Sequence, residues 1–183
     1  MSYDLPYKMY YIALLCPPDV NEMVLQFKYW MRDRFACIAG LKSPAHITLI
    51  PPFWLEEAKE PELLKAFHSF TSDMSELNIE LNGFSHFGKK VLFVQVKDNP
   101  ATEELKNQAE DHFTSIFPAN IKKDDRSFHP HVTIATPDIK PSDFDRVWEH
   151  FSKKDFAANF ITRTISLLKL SPGKWNVLSQ RNW

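Results

Sequence analysis

Apolar positions change their period several times along the chain, and each change predicts an element. Met9 to Cys16 is an almost unbroken apolar run closed by Pro17 and Pro18, which predicts an interior strand. Val20, Met23, Val24, Phe27 and Met31 then recur at helical spacing, with Asp19 as the expected N-cap. Ala45 to Ile50 predicts a second strand that stops at Pro51 and Pro52. Leu63, Leu64, Phe67, Phe70 and Met74 predict a second helix entered through Pro61. Leu77, Ile79 and Leu81 alternate with polar residues, as in a half-buried strand. Asn82-Gly83 and Gly88 punctuate the way to the strand Val91–Val96, so this pair reads as a hairpin with a long loop. Leu105, Ala109, His112, Phe113 and Ile116 predict a third helix, and His131 to Ala135 another strand. Phe144, Val147, Trp148 and Phe151 predict a short fourth helix capped by Ser142. Two last strands, over 161–170 and 174–180, flank the turn that starts at Ser171.

Strands and helices alternate, yet several strands are neighbouring hairpin partners. The expected class is α/β in the α+β sense, with antiparallel sheets instead of a doubly wound parallel one. The 183 residues suit a single domain, 1–183, built as two intimate lobes. A hydrophobic share of 44% supplies a core and excludes a disordered chain. The net charge of -1 lacks the basic footprint that binding to long duplex nucleic acid leaves. A small phosphorylated ligand or a nucleic-acid end needs only a few local cations and stays open. Neither G-x-G-x-x-G nor a P-loop occurs. Cys16 and Cys37 form no C-x-x-C and read as reduced thiols of a cytoplasmic protein. The apolar start lacks the basic segment and cleavage site of a secretory leader and is too short to span a membrane. The size and charge suit a monomer with no obligate protein partner.

One four-residue pattern occurs twice: His46-Ile-Thr-Leu and His131-Val-Thr-Ile. On a strand, side chains alternate between faces, so each copy presents an imidazole and a hydroxyl together, opposite two core residues. Imidazole exchanges protons near neutral pH, and a threonine hydroxyl donates to an anionic oxygen. Two such pairs facing each other would hold a phosphate from both sides, one His as base and one as acid. Such a site needs no metal or other cofactor.

With His46–Leu49 and His129–Ala135 as its signature, the chain resembles the two-histidine (2H) phosphoesterase superfamily, within it the 2′-5′ RNA ligase-like branch. The resemblance runs from about Tyr10 to Val177. It implies a bilobal fold: two pseudo-symmetric antiparallel sheets with outer helices around a central cleft. It implies metal-independent hydrolysis of 2′,3′-cyclic phosphodiesters of nucleotides or RNA ends. His46 and His131 would be acid and base, and Thr48 and Thr133 the phosphate clamps. Many relatives in this branch carry an Arg just after the second motif, whereas here Ala135 is followed by Thr136 and Pro137. Arg126 is a candidate replacement, although beside Asp124 and Asp125 it reads first as a solvated loop charge. Phe53 and Phe87 are candidates for stacking on a base. Two other readings stand beside this one: a zinc hydrolase using His46, His129 and His131, and a non-catalytic nucleotide or RNA-end binding module with the same cleft.

Overall fold

The computed structural model describes residues 6–183. Residues 1–5, the front of the segment read above as no leader, lie outside the described residues. The chain runs β1 (Tyr7–Leu15), α1 (Pro18–Phe35), β2 (His46–Glu56), α2 (Glu60–Ser69), β3 (Leu77–Phe87) and β4 (Val91–Val96). It continues through α3 (Pro100–Ile116), β5 (His131–Ala135), α4 (Phe144–Phe151), β6 (Ala157–Thr162), β7 (Thr164–Leu170) and β8 (Trp175–Asn182). Short 3-10 turns precede β2 at Ala39–Lys42 and α2 at Glu57–Lys59. The described strands form one antiparallel sheet in the order β6-β3-β4-β5-β2-β1-β7-β8.

The two expected sheets are therefore two four-stranded halves of one sheet. They join where β2 meets β5, through the single residue pair Ile47–Val132. Only Arg163 separates β6 from β7, yet these strands sit on opposite sides of the sheet, six places apart. A flat sheet would put them roughly 29 Å from each other at normal strand spacing. One residue spans at most about 3.6 Å, so the sheet must curl until the two meet. The segment read as one strand over 161–170 is in fact this crossing between halves.

Alternation divides each strand between two faces. Tyr10, Ile12, Leu14, Ile47, Leu49, Val132 and Ile134 lie in the main core. There α1 packs on β5 and α3 on β2, so the two helices support the junction from behind. Full burial of a side chain such as Phe67 or Phe113 contributes about 1.5–3 kcal/mol. Tyr11, Ala13 and Leu168 belong to the opposite face.

Several local expectations are corrected. β2 does not stop at Pro51 and Pro52 but runs through them. Tyr10 pairs with Phe53 and Ile12 with Ile50, so both prolines oppose Tyr11 alone. A bulge absorbs the extra residue where the missing N–H groups break no ladder bond. Asn82-Gly83 is likewise a bulge inside β3, opposite Gln95, with Gly83 at φ 69. The hairpin loop is then the short 88–90. Asp19 does not cap α1: Pro18 opens the helix and Asp19 lies in its first turn, favourable to the dipole. Ser142 does not cap α4, whose N-cap is Asp143 with no side-chain capping bond. α2 ends at Ser69; Phe70 is extended and buried against Phe113, and Met74 packs on the core beyond the helix.

Candidate active site

The Ile47–Val132 pair decides the geometry of the repeated pattern. Ile47, Leu49, Val132 and Ile134 are all buried in the core. The odd partners of the pattern, His46, Thr48, His131 and Thr133, therefore share the opposite, concave face. Antiparallel strands count in opposite directions, so this register sets His46 across from Thr133 and His131 across from Thr48. Leu15 and Ala13 of β1 flank His46 and Thr48, and Gln95 and Phe93 of β4 flank His131 and Thr133.

Both imidazoles are tied down in the same way. His46 Nδ1 lies 2.8 Å from the Pro44 carbonyl, and His131 Nδ1 lies 2.7 Å from the His129 carbonyl. A carbonyl only accepts, so each Nδ1 carries the proton and each Nε2 keeps its lone pair. Among the described residues no hydrogen bond occupies either Nε2. Burial in the cleft depresses His46 to about 4, with Lys28 and His131 adding repulsion against the Pro44 bond. Burial also lowers His131, against the bond to the His129 carbonyl, which raises it, and with a smaller repulsion from the His129 ring. Each imidazole is thus neutral at neutral pH in the free protein, ready to accept a proton at Nε2.

Two cavities flank this face, and Thr48, Pro52, Thr133 and Thr136 line both. One, of about 560 Å³, extends past His131 to Phe87, Phe128, Lys106, Glu110, Asp124 and Arg126. Phe87 stands perpendicular to the His131 ring at 5.0 Å between centroids. Arg126 reaches this cavity while clamped by Asp124 through bonds of 2.6 and 2.8 Å. The other, of about 350 Å³, lies on the His46 side with Tyr11, Lys28, Lys42, Ser43 and Trp175.

The fold brings together six of the seven residues singled out from sequence: His46, Thr48, His131, Thr133, Phe87 and Arg126. It does not bring Phe53. That ring is 5% exposed and packs on Tyr10 in the core. Phe53 shares the odd-numbered parity of Ile47 and Leu49, which the two register shifts in β2 leave in place, and so it faces the core. His129 is exposed and turns edge-on to Phe87 at 5.2 Å. Among the described residues no three His, Cys, Asp or Glu side chains gather as a metal-holding group.

Sequence reasoning passed over the His46 flank. Tyr11 places its ring 4.8 Å from His46 and its hydroxyl 2.7 Å from Ser43 Oγ, which in turn lies 3.2 Å from His46 Nδ1. Trp175 meets Tyr11 edge-on at 4.5 Å. Lys28 is buried and donates to the Ser43 carbonyl at 2.9 Å. A signal for Lys28 was present: it stands four residues after Val24 and three before Met31, inside the apolar stripe of α1.

The family model of the 2′-5′ RNA ligase superfamily matches residues 20–174. A Geobacillus kaustophilus protein with a provisional phosphoesterase name is 23% identical over 171 residues, covering 92% of each chain. A similarly named Halalkalibacterium halodurans protein is 28% identical over 170 residues, covering 92% of this chain and 93% of its own. Among solved structures, Escherichia coli LigT complexed with 3′-AMP matches with a TM-score of 0.67 at 15% identity, over 96% of this chain and 98% of that one. LigT has also been crystallised with ATP, NADP+ and phosphate. A Thermus thermophilus protein matches with a TM-score of 0.64 at 16% identity, over 95% of this chain and 97% of that one.

Proposed function

The chain belongs to the 2′-5′ RNA ligase superfamily of two-histidine phosphoesterases, and from that premise we propose that it hydrolyses 2′,3′-cyclic phosphodiesters of nucleotides or RNA ends. The observation that carries this reading is the Ile47–Val132 register, which puts two imidazoles and two hydroxyls on one face with both Nε2 atoms open. The nucleotides bound by LigT support a nucleotide-type ligand.

In this mechanism Thr48 and Thr133 donate hydrogen bonds to the non-bridging phosphate oxygens. A water attacks phosphorus, and the Nε2 of one neutral imidazole takes its proton. The ring P–O bond breaks, and the other imidazole, entering as imidazolium, protonates the leaving ester oxygen. The product is a monoester. The two imidazoles have exchanged protonation states, and solvent resets them. These residues perform every proton transfer, and no step is assigned to a metal or another cofactor. Phe87 offers an aromatic surface beside His131 for the base. Cys16 and Cys37 are free and buried, which supports a reducing, cytoplasmic setting. We take the working unit to be a monomer, since both copies of the pattern come from one chain. Among the described residues no helix is long and apolar enough to cross a membrane.

The test is turnover of the four nucleoside 2′,3′-cyclic phosphates with EDTA present, for the wild type and the doubly substituted His46→Ala/His131→Ala protein. EDTA-resistant hydrolysis that the variant lacks is the expected result. Hydrolysis that EDTA abolishes, or that survives in the variant, overturns the proposal. Tight binding without hydrolysis would make the cleft a nucleotide sensor.

A further inference from the structure

Lys28 and Lys106 are both buried, and the fold treats them differently. Lys106 pairs with Glu110 at 2.8 Å. Lys28 makes its hydrogen bond to the neutral Ser43 carbonyl, and among the described residues no carboxylate pairs with it. Its titratable neighbour Cys16 is pushed by burial to about 12 and stays an uncharged thiol. An ammonium has three N–H donors, and a buried one without a counter-charge is strongly disfavoured. Burial accordingly pulls Lys28 down to about 8.

The lysine lines the His46-side cavity, where among the described residues Lys42 is the other charged lining group. Among the described residues no carboxylate lines that cavity. Across the cleft each cation is matched, Lys106 by Glu110 and Arg126 by Asp124. Both arms hold aromatic rings, Tyr11 and Trp175 in one and Phe87 and Phe128 in the other, but the first is cationic and the second charge-balanced. Both open onto Thr48 and Thr133.

We propose that the Lys28 arm binds a second phosphate group of the substrate, so that the preferred substrate is a ribose cyclic phosphate that also carries a 5′-phosphate. This rests on the cyclic-phosphate reading and narrows it. The 5′ carbon lies at the far end of the ribose from the cyclic phosphate. With the reacting phosphorus held by the two threonines and the base against Phe87, the 5′ substituent falls to the remaining arm. Its phosphate supplies the counter-charge that the protein withholds from Lys28. A terminal 5′-phosphate and the internucleotide phosphate of an RNA end share this chemistry.

Calorimetry with adenosine 2′-monophosphate and adenosine 2′,5′-bisphosphate tests this without requiring turnover. The wild type should bind the bisphosphate at least roughly tenfold more tightly, the scale of one charge-assisted contact. Lys28→Met, nearly the same shape, should lose that advantage and keep its affinity for the monophosphate. Equal wild-type affinities overturn the proposal even if cyclic phosphates are hydrolysed. Equal weakening of both ligands in Lys28→Met also overturns it, because Lys28 then serves the reacting phosphate. Should Lys28→Met not fold, Lys42→Ala, at an exposed position, must reduce the bisphosphate advantage or the proposal fails. Comparing kcat/KM for a 5′-phosphorylated 2′,3′-cyclic nucleotide with that for a cyclic-phosphate dinucleotide then tells a terminal from an internucleotide phosphate. Failure of the cyclic-phosphate reading would appear separately, as absence of hydrolysis.

Discussion

The His46 and His131 strands are near copies, and their surroundings are not. Both rings are fixed through Nδ1 to the carbonyl two residues earlier. Around His46 polar and cationic groups join one aromatic ring: Ser43, Lys28, and Tyr11 with its ring at 4.8 Å and its hydroxyl on Ser43. Around His131 the neighbours are aromatic, with Phe87 and Phe93 each at 5.0 Å. Local backbone fixes the tautomer at both sites, while the walls of the cleft set how strongly each ring holds a proton. Equal strands in unequal walls give two imidazoles with separated affinities, which acid-base work requires.

The strongest way to break this comparison is to remove one ring at a time. His46→Ala and His131→Ala should each lower kcat by about 10²–10⁴-fold in the steady-state assay, as loss of a general acid or base does. Near-full activity in either one would mean the two strands do not share the work.

The pH dependence sharpens it. Catalysis needs one neutral and one protonated imidazole. Both rings in the free protein titrate below the ordinary 6.5, His46 near 4. The bell in kcat/KM should therefore peak on the acid side. It should fall roughly tenfold per pH unit above the His131 value. A bound phosphate anion favours the imidazolium, so the basic limb of kcat should lie higher than that of kcat/KM. A kcat/KM optimum above pH 7 would contradict the desolvated environment of both rings.

The smallest effect belongs to the aromatic wall. Phe87 is 39% exposed, so Phe87→Ala should leave the melting temperature nearly unchanged. KM should rise by about tenfold, the low end of base-stacking energies. A loss confined to kcat would place Phe87 with the chemistry instead of with the base.

Much of this was legible in the chain because period-two alternation is a local property. His46, Thr48, His131 and Thr133 needed only a strand reading to land on one face. Register and curvature are not local. Nothing in the pattern from Ile161 to Leu170 showed that Arg163 divides strands on opposite sides of the sheet. Pro51 and Pro52 looked like a terminus because a bulge depends on the partner strand, whereas alternation from Ile47 and Leu49, carried through the prolines, would have put Phe53 in the core. Lys28 shows a different failure. It was visible as a charge in an apolar stripe, but its meaning came only when Ser43 and His46 were seen above it. Met23, placed in that stripe by spacing, is 41% exposed.

The Ile47–Val132 pair has one more consequence. It lies on a local dyad: a half-turn about it exchanges His46 with His131 and Thr48 with Thr133. Under that operation, attack from one side becomes departure to the other. The four residues alone therefore carry no regiochemical information. They would release the 2′ or the 3′ oxygen with equal ease. Which oxygen leaves is decided by whatever seats the rest of the ribose, in a cleft with lysines at one end and phenylalanines at the other.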